Sequence, residues 1–120
     1  MHEASLAGGV LQLVEDAAKR ERFTRLDSLR LEAGQLSGVD ARALRFALEA
    51  LAPGTLLAGA RIDIEEPPGR AWCMDCSQTV PITQRGDACP LCQGYLLQPT
   101  AGQELRVLDM MVSDDDFEME

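Results

Sequence analysis

The stretch that decides the fold is Cys73-Met74-Asp75-Cys76, followed after twelve residues by Cys89-Pro90-Leu91-Cys92. These two Cys-x-x-Cys pairs contain all four cysteines of the chain. Two such turns facing each other place four sulfurs in a tetrahedron, which suits zinc with Zn–S distances of about 2.3 Å. Because four protein ligands leave no coordination position open, the pattern predicts a structural zinc site at Cys73, Cys76, Cys89 and Cys92.

Other uses of four cysteines remain open on spacing alone. Two disulfides are one alternative, with three possible connectivities. A thioredoxin-like redox pair is another, but that motif follows a strand and opens a helix. Here Pro81, Gly86, Pro90 and Gly94 favour loops and hairpins instead. An iron–sulfur cluster or a rubredoxin-like iron site would use the same thiolate ligands.

The composition limits the classes of partner. The chain has 120 residues and a formal net charge of −9, with five of its 20 acids in residues 113–120. Affinity for phosphate backbones rests on Lys and Arg, so an acidic chain predicts no nucleic-acid partner. No apolar run approaches the roughly 20 residues of a membrane span, and no signal peptide is recognisable. We therefore expect a cytoplasmic protein without a membrane partner.

Hydrophobic periodicity outside the cysteine segment alternates between helix and strand. Apolar spacing predicts helices over residues 4–19, with Ser5 or Glu3 as the N-cap, and over residues 41–52, with Asp40 as the N-cap. Two-residue alternation predicts strands over residues 24–34, 60–65 and 103–112. In the last strand Asp109 falls on the face predicted to point inward.

The element order predicts an α+β fold. Two helices would lie on a small three-stranded mixed sheet, with a zinc-ribbon-like four-cysteine module inserted before the last strand. The strand–helix–strand unit favours parallel pairing of the first two strands, and we expect the last strand to pair antiparallel with the second. The predicted domains are 1–66 plus 103–112, a zinc-binding domain over 67–102, and an acidic disordered tail over 113–120.

The N-terminus reads Met1-His2-Glu3, and His2 is the only histidine of the chain. A histidine in second position is usually an ordinary solvated residue. It can also chelate an ion through its imidazole, its own backbone amide and the amine of Met1. These fused rings favour square-planar Ni(II) or Cu(II), and Glu3 could add an oxygen.

Several motifs together resemble the HypA/HybF family of hydrogenase nickel-incorporation proteins. The resemblance covers residues 1–112. The motifs are Met1-His2-Glu3-x-Ser5-Leu6, Gly34-x-Leu36-Ser37-Gly38-Val39, Leu44-Arg45-Phe46, Gly54-Thr55, Gly59-Ala60 and Cys73-x-x-Cys76 with Cys89-Pro90-x-Cys92.

This resemblance implies a metallochaperone, which is not an enzyme, that serves the maturation of [NiFe] hydrogenase and sometimes urease. It implies Ni(II) bound at His2 and Zn(II) held by the four cysteines. The chelate chemistry of the terminus adds Met1 and Glu3 as candidate nickel ligands. The implied partners are the hydrogenase-maturation GTPase and the hydrogenase large subunit. The alternative is a zinc-ribbon adaptor that recruits a protein partner and delivers no nickel.

Overall fold

The computed structural model of the chain describes residues 2–114, so Met1 and residues 115–120 lie outside the description. Within residues 2–114 no helix is both long and apolar enough to cross a membrane. The helices are α1 (Glu3–Glu21) and α2 (Ala41–Leu51). The strands are β1 (Arg25–Ala33), β2 (Arg61–Glu65), β3 (Gly69–Cys73), β4 (Gln78–Ile82), β5 (Leu97–Ala101) and β6 (Leu105–Ser113).

Helix α1 begins earlier than its apolar spacing predicts. Its N-cap is His2, which makes no side-chain capping bond, so the expected cap at Ser5 or Glu3 is wrong. The helix ends where Arg22 takes a left-handed conformation with φ 62°. Its inner face packs on α2 through a stripe that recurs every three or four residues. That stripe consists of Ala7, Val10, Val14 and Ala17.

Helix α2 begins at the residue that follows its predicted cap. The Oδ1 atom of Asp40 accepts hydrogen bonds from the N–H groups of Arg42 at 3.0 Å and Ala43 at 3.2 Å. Asp40 thereby provides an acceptor for backbone N–H groups of the first helical turn, which have no acceptor within the helix. The side chains of Leu44 and Leu48 are fully buried. The cap prediction at Asp40 is confirmed.

The first sheet has the order β2-β1-β6, so the expected pairing of the last strand with the second is wrong. The Thr24 N–H donates to the Ser113 carbonyl at 3.3 Å, and the Gly34 N–H donates to the Glu104 carbonyl at 2.9 Å. Strands β1 and β6 therefore run antiparallel over their whole length. Both contain nine residues, whereas β2 contains five, so β6 forms a longer ladder on β1 than it could on β2.

Asp109 lies on the exposed face of this sheet and not on the predicted inner face. Its Oδ2 atom accepts a hydrogen bond from Nη2 of Arg30 on β1 at 2.7 Å. The guanidinium of Arg30 lowers the pKa of Asp109 below its ordinary value. Val107 and Leu108 are both half-buried, so the strand's alternation slips by one residue before Asp109. The slip turns Asp109 towards solvent and its ion-pair partner.

The second sheet has the order β4-β3-β5 and is antiparallel throughout. Its inner face carries Ala71 and Cys73, and Trp72 between them points outward. The small core beneath the sheet also includes a residue from far earlier in the chain, Leu36, which is 3% exposed. Its buried members are Leu36, Ala71, Cys73, Val80, Ile82 and Cys89.

Residues 34–36 are bound between two later segments of the chain. The Gln35 N–H donates to the Pro67 carbonyl at 2.9 Å, and the Leu36 N–H donates to the Gly102 carbonyl at 2.7 Å. A Cβ at Gly34 would overlap the carbonyl of Gly102, so only glycine permits this approach. These bonds place Leu36 in the core that contains the cysteines.

The described chain forms two compact units. One contains residues 2–31, 40–64 and 107–114, and the other contains residues 32–39 and 65–106. The second unit includes residues 32–39, which lie within the predicted first domain. The fold class is confirmed: two helices and small sheets accompany an inserted four-cysteine module. The division into a nickel-binding and a zinc-binding domain stays a prediction.

Candidate metal centres

The four cysteine sulfurs come together in the second unit. The four Sγ atoms all lie within 4.8 Å of one another. The Sγ atoms of Cys73 and Cys92 are 3.7 Å apart, and those of Cys76 and Cys89 are 3.9 Å apart. Four sulfurs about 2.3 Å from a central zinc ion lie about 3.8 Å apart at the tetrahedral angle. The four-cysteine cluster therefore fits a zinc site.

The two cysteine pairs are built as copies of one local turn. Ser77 follows the first pair in a left-handed conformation, and its N–H donates to the Cys73 carbonyl at 2.8 Å. Gln93 follows the second pair in the same conformation, and its N–H donates to the Cys89 carbonyl at 2.8 Å. Each turn aims both of its sulfurs at one point.

Backbone N–H groups point at three of the sulfurs. The N–H of Cys76 lies 3.4 Å from Sγ of Cys73, and the N–H of Leu91 lies 3.4 Å from Sγ of Cys89. The N–H of Gly94 lies 3.4 Å from Sγ of Cys92. Charge-assisted bonds of this kind favour the thiolate over the thiol. The backbone is thus arranged for the anionic sulfurs that a metal requires.

The thiols differ in their readiness to ionise. Burial raises the pKa of Cys89, but hydrogen bonds from the N–H groups of Cys92 and Leu91 and with the side chains of Cys73 and Cys92 together lower it to about 7. A hydrogen bond to Cys92 and burial raise the pKa of Cys76 to about 12. Metal binding releases protons from cysteine ligands, so a bound cation would favour the thiolate form of all four residues.

The structure does not favour the disulfides or the thioredoxin-like redox pair, whereas an iron site would use the same four sulfurs. All four are free cysteines in the structure, which differs from the disulfide alternative. The first pair ends strand β3, and a turn and strand β4 follow it, where a thioredoxin-like motif would open a helix. The donor set is therefore a closed four-thiolate cluster. No position in it is left for a substrate.

The N-terminal candidate site lies in the first unit, at the start of α1. His2 is exposed, and its carbonyl accepts the Leu6 N–H at 3.0 Å, which begins the helical ladder. As the N-cap, His2 keeps its own N–H outside that ladder. The proposed third donor, the amine of Met1, lies outside the described residues. The imidazole and the N–H of His2 are thus unconstrained by helix hydrogen bonding.

Glu3 is the one buried charged residue of the described chain, at 7% exposure. Its Oε2 atom accepts a hydrogen bond from the N–H of Asp40 at 3.1 Å. The positively charged chain terminus and this backbone N–H lower the pKa of Glu3 to about 2. The carboxylate therefore joins the start of α1 to the cap of α2. The sequence analysis marked Asp40 only as a cap, since no local pattern shows a contact across 37 residues.

Comparison with known proteins shows the family of this chain. Residues 1–112 match the family model described as "Hydrogenase/urease nickel incorporation, metallochaperone, hypA". A hydrogenase maturation factor HypA of Polaromonas naphthalenivorans is 68% identical over 115 residues, which cover 96% of this chain and 100% of that protein. A HypA of Cupriavidus necator is 66% identical over 114 residues, which cover 95% of this chain and 96% of that protein.

A solved structure shows the same fold. The solution structure of the Ni metallochaperone HypA from Helicobacter pylori has a TM-score of 0.66 and 24% identity, and it covers 95% of this chain and 99% of that one. The family model spans both the Met-His-Glu terminus and the four-cysteine cluster. The chain therefore belongs to the HypA family of hydrogenase and urease nickel-incorporation metallochaperones.

Proposed function

We propose that this chain carries Ni(II) at its N-terminus and delivers it during hydrogenase maturation, without turning over a substrate. The observation that carries the proposal is the position of His2: an exposed imidazole at the N-cap of α1, next to a buried carboxylate. Nickel is the cargo in this proposal. The ligands are the imidazole and backbone amide of His2, the amine of Met1 and Glu3.

The charge beside Glu3 supports this ligand set. In the metal-free chain the positive terminus stabilises the Glu3 carboxylate. Binding of Ni(II) requires the amine of Met1 to lose its proton, so the cation then takes the place of the terminal charge beside Glu3. Oε2 of Glu3 accepts from Asp40 and keeps the carboxylate at the terminus. Glu3 thus contributes charge and position, and an oxygen ligand where the coordination sphere needs one.

The four-cysteine cluster has a different role in the proposal. Cys73, Cys76, Cys89 and Cys92 would hold zinc, which supplies a structural cross-link to a unit with a small core. The proposed domains follow from these roles. Residues 1–66 with 103–112 bind nickel, and residues 67–102 bind zinc. Of the predicted acidic tail over 113–120, Ser113 is the last residue of β6, and residues 115–120 lie outside the described residues.

The partners follow from the delivery role. Nickel passes between proteins without entering solution if the first unit docks on a maturation GTPase and then on the hydrogenase large subunit. Both of the relatives compared above are called hydrogenase maturation factors. Residues 1–112 hold 15 acids and 11 bases, a net −4, which supports protein partners over nucleic acid. We place this activity in the cytoplasm.

The adaptor alternative has no support in these findings. A zinc-ribbon adaptor would need only the cysteine cluster and a docking surface. The description of the matched family names nickel incorporation, and the match begins at residue 1 of this chain. The matched residues include the Met-His-Glu terminus, which supports the carrier function that we propose.

The test is nickel titration of the untagged protein by calorimetry. His2→Ala should abolish binding of one Ni(II) per chain, because the imidazole is lost, while zinc content stays unchanged. Extension of the N-terminus by two residues should damage binding as well, since the amine is displaced. Ser5→Ala, at an exposed position of the same helix, is the matched control. Full nickel affinity in both altered proteins would place the site elsewhere.

A further inference from the structure

Two cysteines hold the same place in the two turns of the cluster but differ in exposure. Cys76 ends the first Cys-x-x-Cys turn and is half-buried, whereas Cys92 ends the second turn and is exposed. Cys73 and Cys89, which begin the two turns, are both buried. A small reagent in solvent therefore reaches Cys92 more easily than the other three cysteines.

The residue two positions after Cys92 leaves its sulfur open on one side. The N–H of Gly94 lies 3.4 Å from Sγ of Cys92. A Cβ added at Gly94 would lie 3.3 Å from that sulfur and 3.1 Å from Oδ2 of Asp75. The same position after the first turn is Gln78, which has a long side chain. The absence of a side chain at Gly94 thus keeps one approach to Cys92 clear.

A second sulfur lies close to the exposed one. The Sγ atoms of Cys73 and Cys92 are 3.7 Å apart, and those of Cys76 and Cys89 are 3.9 Å apart. Both of these contacts join one turn to the other. Because a disulfide needs an S–S distance of about 2.05 Å, a small shift of the side chains would close either pair.

Oxidation also requires the sulfurs to be thiolates, since the thiolate and not the thiol is the nucleophile. The proposed zinc role of the cluster supplies this condition, because cysteine ligands are held deprotonated at neutral pH. Cysteines that respond to oxidants are exposed thiolates with a second cysteine nearby. Cys92 and Cys73 together meet these conditions.

We propose that Cys92 is an oxidation site, at which hydrogen peroxide converts the zinc-binding cluster into a form with a Cys73–Cys92 disulfide. The Cys92 thiolate attacks one peroxide oxygen, the O–O bond breaks, and hydroxide leaves with the electron pair of that bond. The product at Cys92 is a sulfenic acid. The Cys73 thiolate then attacks the Cys92 sulfur and expels a second hydroxide. The two sulfurs have then lost two electrons, which reduce the peroxide.

The disulfide removes two of the four thiolate ligands. Cys76 and Cys89 alone cannot complete a four-coordinate zinc site, so the ion is lost. Cys73 and Cys89 belong to the small core of the second unit, which then lacks its metal cross-link. A dithiol reductant reverses the step by thiol–disulfide exchange. The cluster thus acts as a reversible redox switch on the folding of the second unit, an inference that rests on the proposed zinc role and not on nickel carriage.

The test is titration of the zinc-loaded full chain with hydrogen peroxide. Zinc content is measured before oxidation, so that a chain without zinc contradicts the zinc role separately. Dimedone, which reacts with sulfenic acids, should label Cys92 first. Peptide mass spectrometry should then find the Cys73–Cys92 disulfide, with one zinc released for each disulfide formed. Dithiothreitol with added zinc should restore the original zinc content.

Gly94→Ala tests the open side of Cys92. The added methyl group covers the sulfur, so loss of zinc to peroxide should become severalfold slower in a fully zinc-loaded variant. Gly8→Ala on α1 is the matched control, because a Cβ at that position meets nothing within 4 Å. If Gly94→Ala lowers the zinc content before oxidation, the order of dimedone labelling in the native chain decides instead.

Several outcomes would overturn the proposal. Dimedone on another cysteine before Cys92, a disulfide within one turn, or zinc retained after disulfide formation would each contradict it. Equal rates of zinc loss in the native chain and in zinc-loaded Gly94→Ala would also contradict it, since access to Cys92 would not limit the reaction. Nickel binding at residues 1–3 does not enter these measurements, so the proposed carrier function stands or falls separately.

Discussion

The two candidate metal positions of this chain differ in how their ligands are arranged. The cysteine cluster takes ligands from two matching turns, buries Cys73 and Cys89, and receives N–H groups on three sulfurs. The N-terminal position has an exposed His2 at a helix end and one buried carboxylate behind it. A closed set of four ligands retains its ion. An exposed set at a chain end suits an ion that must leave.

The difference extends to what each region contributes to the fold. The second unit builds its small core partly from the metal ligands themselves, because Cys73 and Cys89 are two of its six buried members. The first unit has an ordinary aliphatic core that includes Val14, Leu29, Leu44 and Leu48. We therefore expect metal loss to unfold one unit and to leave the other folded. Four changes probe the two regions, in order of decreasing expected effect.

The largest effect should come from Cys73→Ala. Zinc content should fall to near zero, and the amides of residues 69–101 should lose hydrogen-exchange protection, since a core this small cannot stand without its cross-link. The amides of α1 and α2 should keep their protection. Metal analysis with exchange mass spectrometry measures both, and Met74→Ala, at an exposed position of the same turn, is the control. Loss of protection in both helices would mean that the units unfold together.

Leu36→Ala tests whether the second unit depends on a residue from outside the cysteine segment. Removing a buried leucine side chain should cost about 2–5 kcal/mol. Because Leu36 packs in the core with Cys73 and Cys89, the loss should appear in residues 69–101. Leu48→Ala should cost a similar amount but act on the helices. Denaturant titration followed by exchange distinguishes the two, and identical exchange patterns would contradict the division into units.

Glu3→Gln tests the buried carboxylate beside the exposed site. Folding lowers the pKa of Glu3 from 4.5 to about 2, so its contribution to stability is complete above pH 4.5 and is lost as the pH falls towards 2. The variant should be less stable than the native chain at pH 7, and the difference should vanish near pH 2. Urea unfolding across this range measures it, with Glu15→Gln on the same helix as the control. A pH-independent difference would assign the effect to packing.

The smallest effect should come from Asp109→Asn. Arg30 and Asp109 are both about half exposed, and solvent screens their attraction. Because Arg30 lowers the pKa of Asp109, the pair's contribution is lost on acidification through that lowered pKa. The melting temperature at pH 7 should drop slightly, by less than for Leu36→Ala. A loss as large as that of Leu36→Ala would show that the sheet depends on this pair.

The sequence by itself determined the features that neighbours along the chain decide. The spacing of the cysteine pairs predicted their convergence, because each turn needs only the residues within and directly after it. Apolar periodicity located both helices within two residues of their observed ends, and Asp40 capped α2 as predicted. The motifs at the terminus and the cysteines sufficed for the family, since they are short and contiguous.

Only the tertiary structure decided which distant residues meet. Strand β6 pairs with β1, which has the same length. The side chain of Asp109 is exposed because the alternation of buried and exposed residues shifts by one residue within β6. Leu36 joined the cysteine core because bonds to Pro67 and Gly102 hold its segment there. The buried carboxylate of Glu3 accepts a hydrogen bond from the N–H of Asp40, the N-cap of α2. Such contacts are set by packing between distant segments, and no local pattern encodes them.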